Sequence, residues 1–197
     1  MDLSSILKNA TAGIEDRYFK LKIEGGLPVY RERVYCYELY HQLRKDWNQT
    51  DFVINGEVDK SAHPILEPLG AKKRKPDLLI HGPGDMNSNY AIIEVKPCTT
   101  DSRGILKDLE TLSFFRGSCK YQHAIFLLYG FDACKAAKRV MNISLKHKNL
   151  DQIELWIHRN PATPAIHFAN IERGAVACVG GVDPFSRMEL FSPLVDC

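Results

Sequence analysis

The sequence lacks the features that would place the protein in a membrane or build it around disulfides or structural zinc. No apolar run approaches the roughly 20 residues needed to cross a bilayer, and no apolar signal segment opens the chain. The six cysteines stand singly, without the C-x-x-C pairs or Cys/His spacing of a zinc site. We therefore expect a cytoplasmic protein with reduced thiols and no membrane partner.

Neither sign of charge is in large excess, because 26 Lys and Arg residues stand against 24 Asp and Glu residues and leave a net charge of +2. Affinity for a polyanion would therefore have to come from a local patch rather than from the whole surface. The chain also lacks a Walker loop and a G-x-G-x-x-G turn, which argues against nucleotide-driven chemistry.

The length of 197 residues suits one domain that buries its core without disulfides or structural metal. No internal repeat, low-complexity tract or linker divides the chain. We predict a single domain over residues 1–197, with a core at about 31–129 and peripheral segments at 1–30 and 150–197.

A predicted β-hairpin carries the most informative residues. Two apolar runs, Leu78–Ile80 and Ala91–Ile93, flank a loop rich in Gly, Pro, Asn, Asp and Ser. If the hairpin folds about the middle of this loop, Asp77 lies opposite Glu94, because both are equally far from that centre. Continuous apolar runs indicate strands covered on both faces, so two carboxylates would face each other inside a sheet.

Opposed carboxylates repel, and something must offset the repulsion. Either a shared proton or a divalent cation could do so. Lys96 follows Glu94 by two residues and therefore projects from the same face of the strand. This favours a cation held by oxygen ligands, with an ammonium group beside it to hold a nucleophilic water. The simpler alternative is that Asp77 caps a turn while Glu94 and Lys96 form a surface ion pair.

Pro76-Asp77, followed by Glu94-Val95-Lys96 at the end of the next strand, resembles the PD-(D/E)XK motif of the restriction-endonuclease-like nuclease superfamily. The resemblance implies an α/β fold with a restriction-endonuclease-like core, a central mixed β-sheet flanked by helices (αβββαβ), here with an extra C-terminal helix and strands. It also implies that Asp77, Glu94 and the carbonyl of Val95 bind Mg²⁺ or Mn²⁺, while Lys96 positions or activates water. Asp77, Glu94 and Lys96 would then be the catalytic residues.

Two further carboxylates are candidate metal ligands. In the resembled superfamily the helix before the core sheet often supplies an acidic residue, and Glu38 is the candidate here, although pairing with Gln42 or Arg31 is equally open. Glu57 follows the first predicted strand and could reach the metal site directly or through water. It could equally pair with Lys60 at the surface.

Helical and strand patterns alternate along the rest of the chain. The first 27 residues predict only a short peripheral helix or strand. Helices are predicted at about 30–47, from a cap at 99–101 onward, and at 132–146; strands are predicted at 52–60, at 122–129, half-exposed at 151–158, and as edge strands at 165–168 and 175–179.

Positive side chains are concentrated near the predicted site. A basic run precedes Asp77 by a few residues, and two cations lie on the helix that starts just after Lys96, whose N-terminal amides would also face phosphate. Each of these cations could instead be an ordinary solvated side chain. The predicted nucleic-acid-binding residues are Lys72, Lys73, Arg74, Lys75, Arg103 and Lys107.

These observations predict a Mg²⁺-dependent endonuclease that hydrolyses phosphodiester bonds, in DNA rather than RNA, for restriction, defence or repair. A homodimer would suit cleavage of both strands of a duplex. The first alternative is a non-catalytic nucleic-acid-binding subunit of a larger complex. The second is a protein-interaction module whose charged residues are only surface pairs.

Overall fold

The computed structural model describes residues 2–45, 47, 51–56, 74–85 and 87–179. Three predicted site residues, Glu57, Lys72 and Lys73, lie outside these ranges. The described helices are α1 (Leu3–Ala12), α2 (Asp16–Phe19), α3 (Glu32–Lys45), α4 (Ser102–Gly117) and α5 (Ala133–Ser144), and the described strands are β1 (Val53–Gly56), β2 (Leu78–His81), β3 (Asn89–Pro97), β4 (His123–Tyr129), β5 (Ile153–His158), β6 (Ile166–Glu172) and β7 (Ala175–Cys178).

The seven strands form one mixed sheet in the order β1 to β7. Strands β3, β4 and β5 run parallel, and each remaining neighbour pairs antiparallel. The parallel pairs are joined by α4 and α5, as parallel pairing requires a crossover. The predicted α/β class, with a mixed sheet flanked by helices, is confirmed, and α3 to β4 follow one another in the predicted order. None of the described helices combines the length and apolar character needed to span a bilayer.

Each face of the sheet has its own core. Leu79 and Ile92 pack under α4 and α5, whereas Leu78 and Ile93 pack under α1, α2 and α3. Because side chains alternate along a strand, Asp77, Glu94 and Lys96 project toward the α4 and α5 face. The polar residues of the predicted site are therefore next to a buried apolar layer.

The N-terminal segment is more deeply packed than its weak pattern predicts. Leu3, Leu7, Ile14 and Phe19 are all buried in the core beneath β2 to β5. The weak signal has a simple cause: α1 and α2 are short, so α1 shows fewer than three turns of apolar periodicity and α2 about one. The expectation of a peripheral segment at residues 1–30 is wrong for these side chains.

Two predictions for the C-terminal strands are also wrong. Strand β5 was expected to be half-exposed, yet Trp156 and His158 are buried, because β5 pairs with β4 on one side and β6 on the other. Strand β6 was also expected at the edge of the sheet, but it lies between β5 and β7. Of the two predicted edge strands, β6 and β7, only β7 is at the edge of the described sheet.

The hairpin register agrees with the one expected from the sequence. Leu78 pairs with Ile93 and Leu79 pairs with Ile92, so the next step of the ladder places Asp77 opposite Glu94. A register shift occurs on the loop side of Ile80. It therefore leaves the pairing at the Asp77 end unchanged.

Aromatic packing holds α3 over the carboxyl ends of β4 and β5. The Tyr35 ring stacks on Tyr129 with a centroid separation of 3.9 Å, and its hydroxyl lies 2.7 Å from Nδ1 of His158. Tyr35 is in the first turn of the helix. Its contacts therefore place the start of α3 near the end of β3, where Lys96 lies.

Candidate active site

The side-chain carboxyl groups of Asp77 and Glu94 approach each other closely enough to influence each other's acidity. Because an ionised carboxylate has only acceptor atoms, a direct hydrogen bond between the two groups forms only when one of them is protonated. Asp77 Oδ2 also accepts a hydrogen bond from the main-chain N–H of Val95 at 2.8 Å. The sequence left a shared proton and a cation open as ways to offset the repulsion, and the close approach of the two carboxyl groups accommodates either one.

Burial is the main cause of the altered acidity of this pair. Burial, followed by the charges of Asp77 and Asp108, raises the pKa of Glu94 well above its usual value. Burial also raises the pKa of Asp77, although Lys96 and the Val95 N–H act in the opposite direction. The pair therefore holds its proton at a pH where isolated carboxyl groups are ionised.

Lys96 forms ion pairs with carboxylates from two helices. Its Nζ lies 2.8 Å from Oε1 of Glu32 in α3 and 3.4 Å from Oδ2 of Asp108 in α4. Burial opposes the charge of Lys96, but Asp77, Asp108 and Glu32 outweigh it and raise the pKa of the ammonium. The side chain is 13% exposed, so this cation is fixed in place and largely shielded from water.

Asp108 was missed by the sequence analysis. It is 4% exposed, and its Oδ2 receives no hydrogen bond of good geometry, although the Lys96 charge is close. Burial raises the pKa of Asp108 to about 6, against the opposing effect of Lys96. A signal was present, because Asp108 lies between Ile105 and Leu112 on the apolar side of α4, where a charge needs a partner.

The structure places Glu32, rather than Glu38, next to Lys96. Glu38 accepts a hydrogen bond from Nε2 of Gln42 at 2.5 Å, which is the pairing that the sequence left open. The two glutamates are six positions apart in the helix, and this spacing turns their side chains about 120° apart around α3. Glu32 precedes buried Cys36 by one turn, which is the signal that would have distinguished it.

The predicted nucleic-acid-binding residues within the described ranges are spread over the surface. The guanidinium of Arg74 stacks over the ring of Phe114, 4.7 Å from its centroid. Lys75, Arg103 and Lys107 are exposed. At the start of α4 the side chain of Asp101 accepts from the Gly104 N–H at 2.7 Å, so one of the amides expected to face phosphate already has a partner.

The donor atoms at the site suit a hard divalent cation. Within the described ranges no three His, Cys, Asp or Glu side chains are arranged to hold a metal. The ligand set implied by the motif would not form such a group, because it consists of two carboxylates, Asp77 and Glu94, and the main-chain carbonyl of Val95. Because the N–H and C=O of a strand residue point to the same side, the carbonyl of Val95 faces the strand edge where its N–H meets Asp77. An all-oxygen set of this kind fits Mg²⁺.

A cavity of about 320 Å³ opens beside Asp77, with walls of mostly apolar character. Tyr37, which is 64% exposed, and Tyr40 line it together with Cys36 and Leu78. Asp77 thus borders a cavity whose other walls come mainly from α3.

Comparison with known proteins finds no relative: no family model, no curated protein and no solved structure matches the chain. The fold and the site together define an α/β protein with a buried Asp–Glu–Lys cluster at the ends of two adjacent strands. Its function is therefore argued from that cluster.

Proposed function

We propose that the protein is a metal-dependent nuclease of the PD-(D/E)XK type, with a restriction-endonuclease-like core and with DNA as the preferred substrate. One observation carries the proposal: the hairpin register opposes Asp77 and Glu94 next to a buried apolar layer, while Lys96 lies on the same face two residues further along β3. Burying two carboxyl groups together costs stability, which is explained if they serve a ligand.

Each residue has a distinct role in the proposed reaction. Asp77, Glu94 and the carbonyl of Val95 would hold Mg²⁺ or Mn²⁺, and the bound cation supplies Lewis-acid polarisation of the phosphate and a more acidic water. Lys96 orients the attacking water and stabilises negative charge as it develops on the phosphate. Glu32 and Asp108 hold the Lys96 ammonium in position from opposite sides.

The first test is a cleavage assay with the purified protein. Supercoiled plasmid, linear duplex, single-stranded DNA and RNA are each incubated with Mg²⁺, with Mn²⁺ and with chelator. We expect cleavage of DNA that requires the metal, and the nicked or linear plasmid product will show whether one or both strands are cut. Binding of these substrates without cleavage in any metal would instead favour the non-catalytic binding subunit.

A second expected result separates the two helix glutamates. Glu32→Gln removes the closest carboxylate from Lys96 and should lower the cleavage rate about 10–100-fold, the usual effect of losing a group that orients a site residue. Glu38→Gln is the matched control, because the same change occurs on the same helix at a residue paired with Gln42. Initial rates across a pH series measure both.

Glu32→Gln should also change the pH dependence of the rate, because the ammonium loses a neighbouring negative charge. Glu38→Gln should keep the wild-type rate and pH profile. Equal rates for the two variants would remove Glu32 from the proposed site, and a loss confined to Glu38→Gln would restore the original candidate.

A further inference from the structure

A second charged feature lies outside the Asp–Glu–Lys cluster. A groove of about 540 Å³ separates the second half of α4 from the segment that connects α5 to β5. We call it the α4–α5 groove, and its charged and aromatic lining consists of Arg74, Glu110, Phe114, Lys146, His147 and Lys148.

The groove has an excess of positive charge that the described residues do not neutralise. Arg74, Lys146 and Lys148 form no ion pair with a carboxylate in the part of the chain that the structure describes. Glu110 is the single carboxylate of its lining. Three cations around one concave surface repel one another, and a bound anion would offset that repulsion.

Main-chain hydrogen bonds order the segment that carries Lys146 and Lys148. The His147 N–H donates to Ser144 O at 3.0 Å, and the Arg173 N–H donates to the Leu150 carbonyl at 2.9 Å, which fixes both ends of the connecting segment. The stem of Lys148 packs against Gly174, where an added Cβ would lie 3.2 Å from Lys148 Cγ. The backbone that carries the two lysines is therefore in place before any ligand binds.

Arg74 is well suited to contact phosphate. Its guanidinium stacks on Phe114, and stacking engages the face of the planar group while its N–H donors lie at the edge. These edge donors match the geometry of phosphate oxygens. Arg74 therefore adds a directional contact to the point charges of the two lysines.

The groove is close to the proposed catalytic residues. Arg74 precedes Asp77 by three residues, which limits their Cα separation to about 11 Å. Along α4, Asp108 and Phe114 are six residues apart, or about 9 Å of helix. On one nucleic-acid strand, about 3.4 Å of axis per phosphate makes this distance equal to roughly three phosphates.

We propose that the α4–α5 groove binds the phosphodiester backbone of the substrate strand a few nucleotides from the bond that is cut. The inference rests on the proposed nuclease function for its choice of polyanion. The chemistry it requires is recognition of phosphate by two lysines and a stacked arginine, without direct reading of base sequence.

The test measures binding in chelator, so that it does not depend on cleavage. Fluorescence anisotropy of labelled duplex DNA, single-stranded DNA and RNA with the full chain is recorded over a salt series. Lys146→Ala/Lys148→Ala should weaken binding by about tenfold or more and reduce the slope of log K against log salt by about 2. Glu110→Gln should strengthen binding, because it removes the negative charge of the groove.

Lys8→Ala/Lys22→Ala is the matched control, since it removes the same charge from two exposed lysines, one on α1 and the other beyond α2. If the two double variants lose affinity equally and show the same reduction in salt slope, the proposed binding role of the groove is wrong. The same holds if the wild type binds none of the three nucleic acids. If the wild type cleaves DNA while the groove variant binds normally, only the groove fails. If the groove variant alone loses affinity but the wild type never cleaves, only the nuclease proposal fails.

Discussion

Replacing Lys96 by methionine is expected to lower the rate of phosphodiester cleavage by about 10²–10³-fold, the usual effect of removing a group that stabilises charge in the transition state. Methionine keeps much of the lysine stem but not the ammonium that faces Glu32 and Asp108. Because the proposed metal ligands remain, metal-dependent stabilisation by Mg²⁺ should persist. Initial cleavage rates and thermal unfolding with and without Mg²⁺ check both parts.

The Lys96→Met substitution also leaves Asp108 buried without its cation. Breaking a buried ion pair in this way lowers the free energy of unfolding by about 3–5 kcal/mol. Lys96→Met/Asp108→Asn removes both charges together and should fold more stably than the single variant. Lys8→Met is the matched control, because Lys8 is an exposed lysine of α1 outside the proposed site, and this variant should cleave at a rate close to that of the wild type. A folded double variant with the wild-type rate would exclude Lys96 from catalysis.

The second large effect concerns stability. Glu94→Gln should abolish cleavage and yet raise the free energy of unfolding at pH 8 by about 0.5–2 kcal/mol, which is the usual gain from a stabilising substitution. Such a gain commonly comes with a loss of activity when the residue belongs to an active site. The glutamine amide can donate to Asp77 as the protonated carboxyl does. Unlike Glu94, it does not ionise at high pH beside Asp77 in a buried site.

The pH dependence follows from the raised pKa of Glu94, which has burial as its main cause. The folded protein binds a proton that the unfolded chain releases, so this contribution is fully present below the unfolded pKa of Glu94. It is lost as the pH rises through the folded pKa. The advantage of Glu94→Gln over the wild type should therefore be small at pH 4 and grow with pH.

Urea unfolding from pH 4 to 8.5 in chelator measures this difference. Comparing Glu94→Gln with the wild type at each pH cancels the contributions of the other titrating groups. Glu38→Gln serves as the control, since its partner is Gln42 rather than Asp77. Mg²⁺ should stabilise the wild type but not Glu94→Gln, because only a ligand that binds the folded site raises stability. A stability difference that does not change with pH would contradict the proposed cause.

Local pattern was sufficient to predict the hairpin and the three residues of the motif. Side chains alternate along a strand, and the loop between β2 and β3 is nearly symmetric, so the Leu78–Ile93 pairing followed from counting outward. Local signals also predicted α4, from its apolar spacing and a cap at 99–101, and α5, from Asp132 as its N-cap; the structure makes Asp101 the cap of α4 and Asp132 the cap of α5. These features depend on residues that are near in sequence.

Contacts between distant parts of the chain could not be predicted in this way. Glu32 and Lys96 are 64 residues apart, and the packing of Tyr35 on Tyr129 and its contact with His158 help to bring the start of α3 to the end of β3. Burial of β5 likewise depends on β6, which follows it in the chain. By itself the sequence determined the α/β class, the hairpin register and the opposed carboxyl groups, because these depend on local periodicity. The tertiary structure alone decided which helix carboxylates hold Lys96 and which cations form the α4–α5 groove, because long-range packing sets those distances.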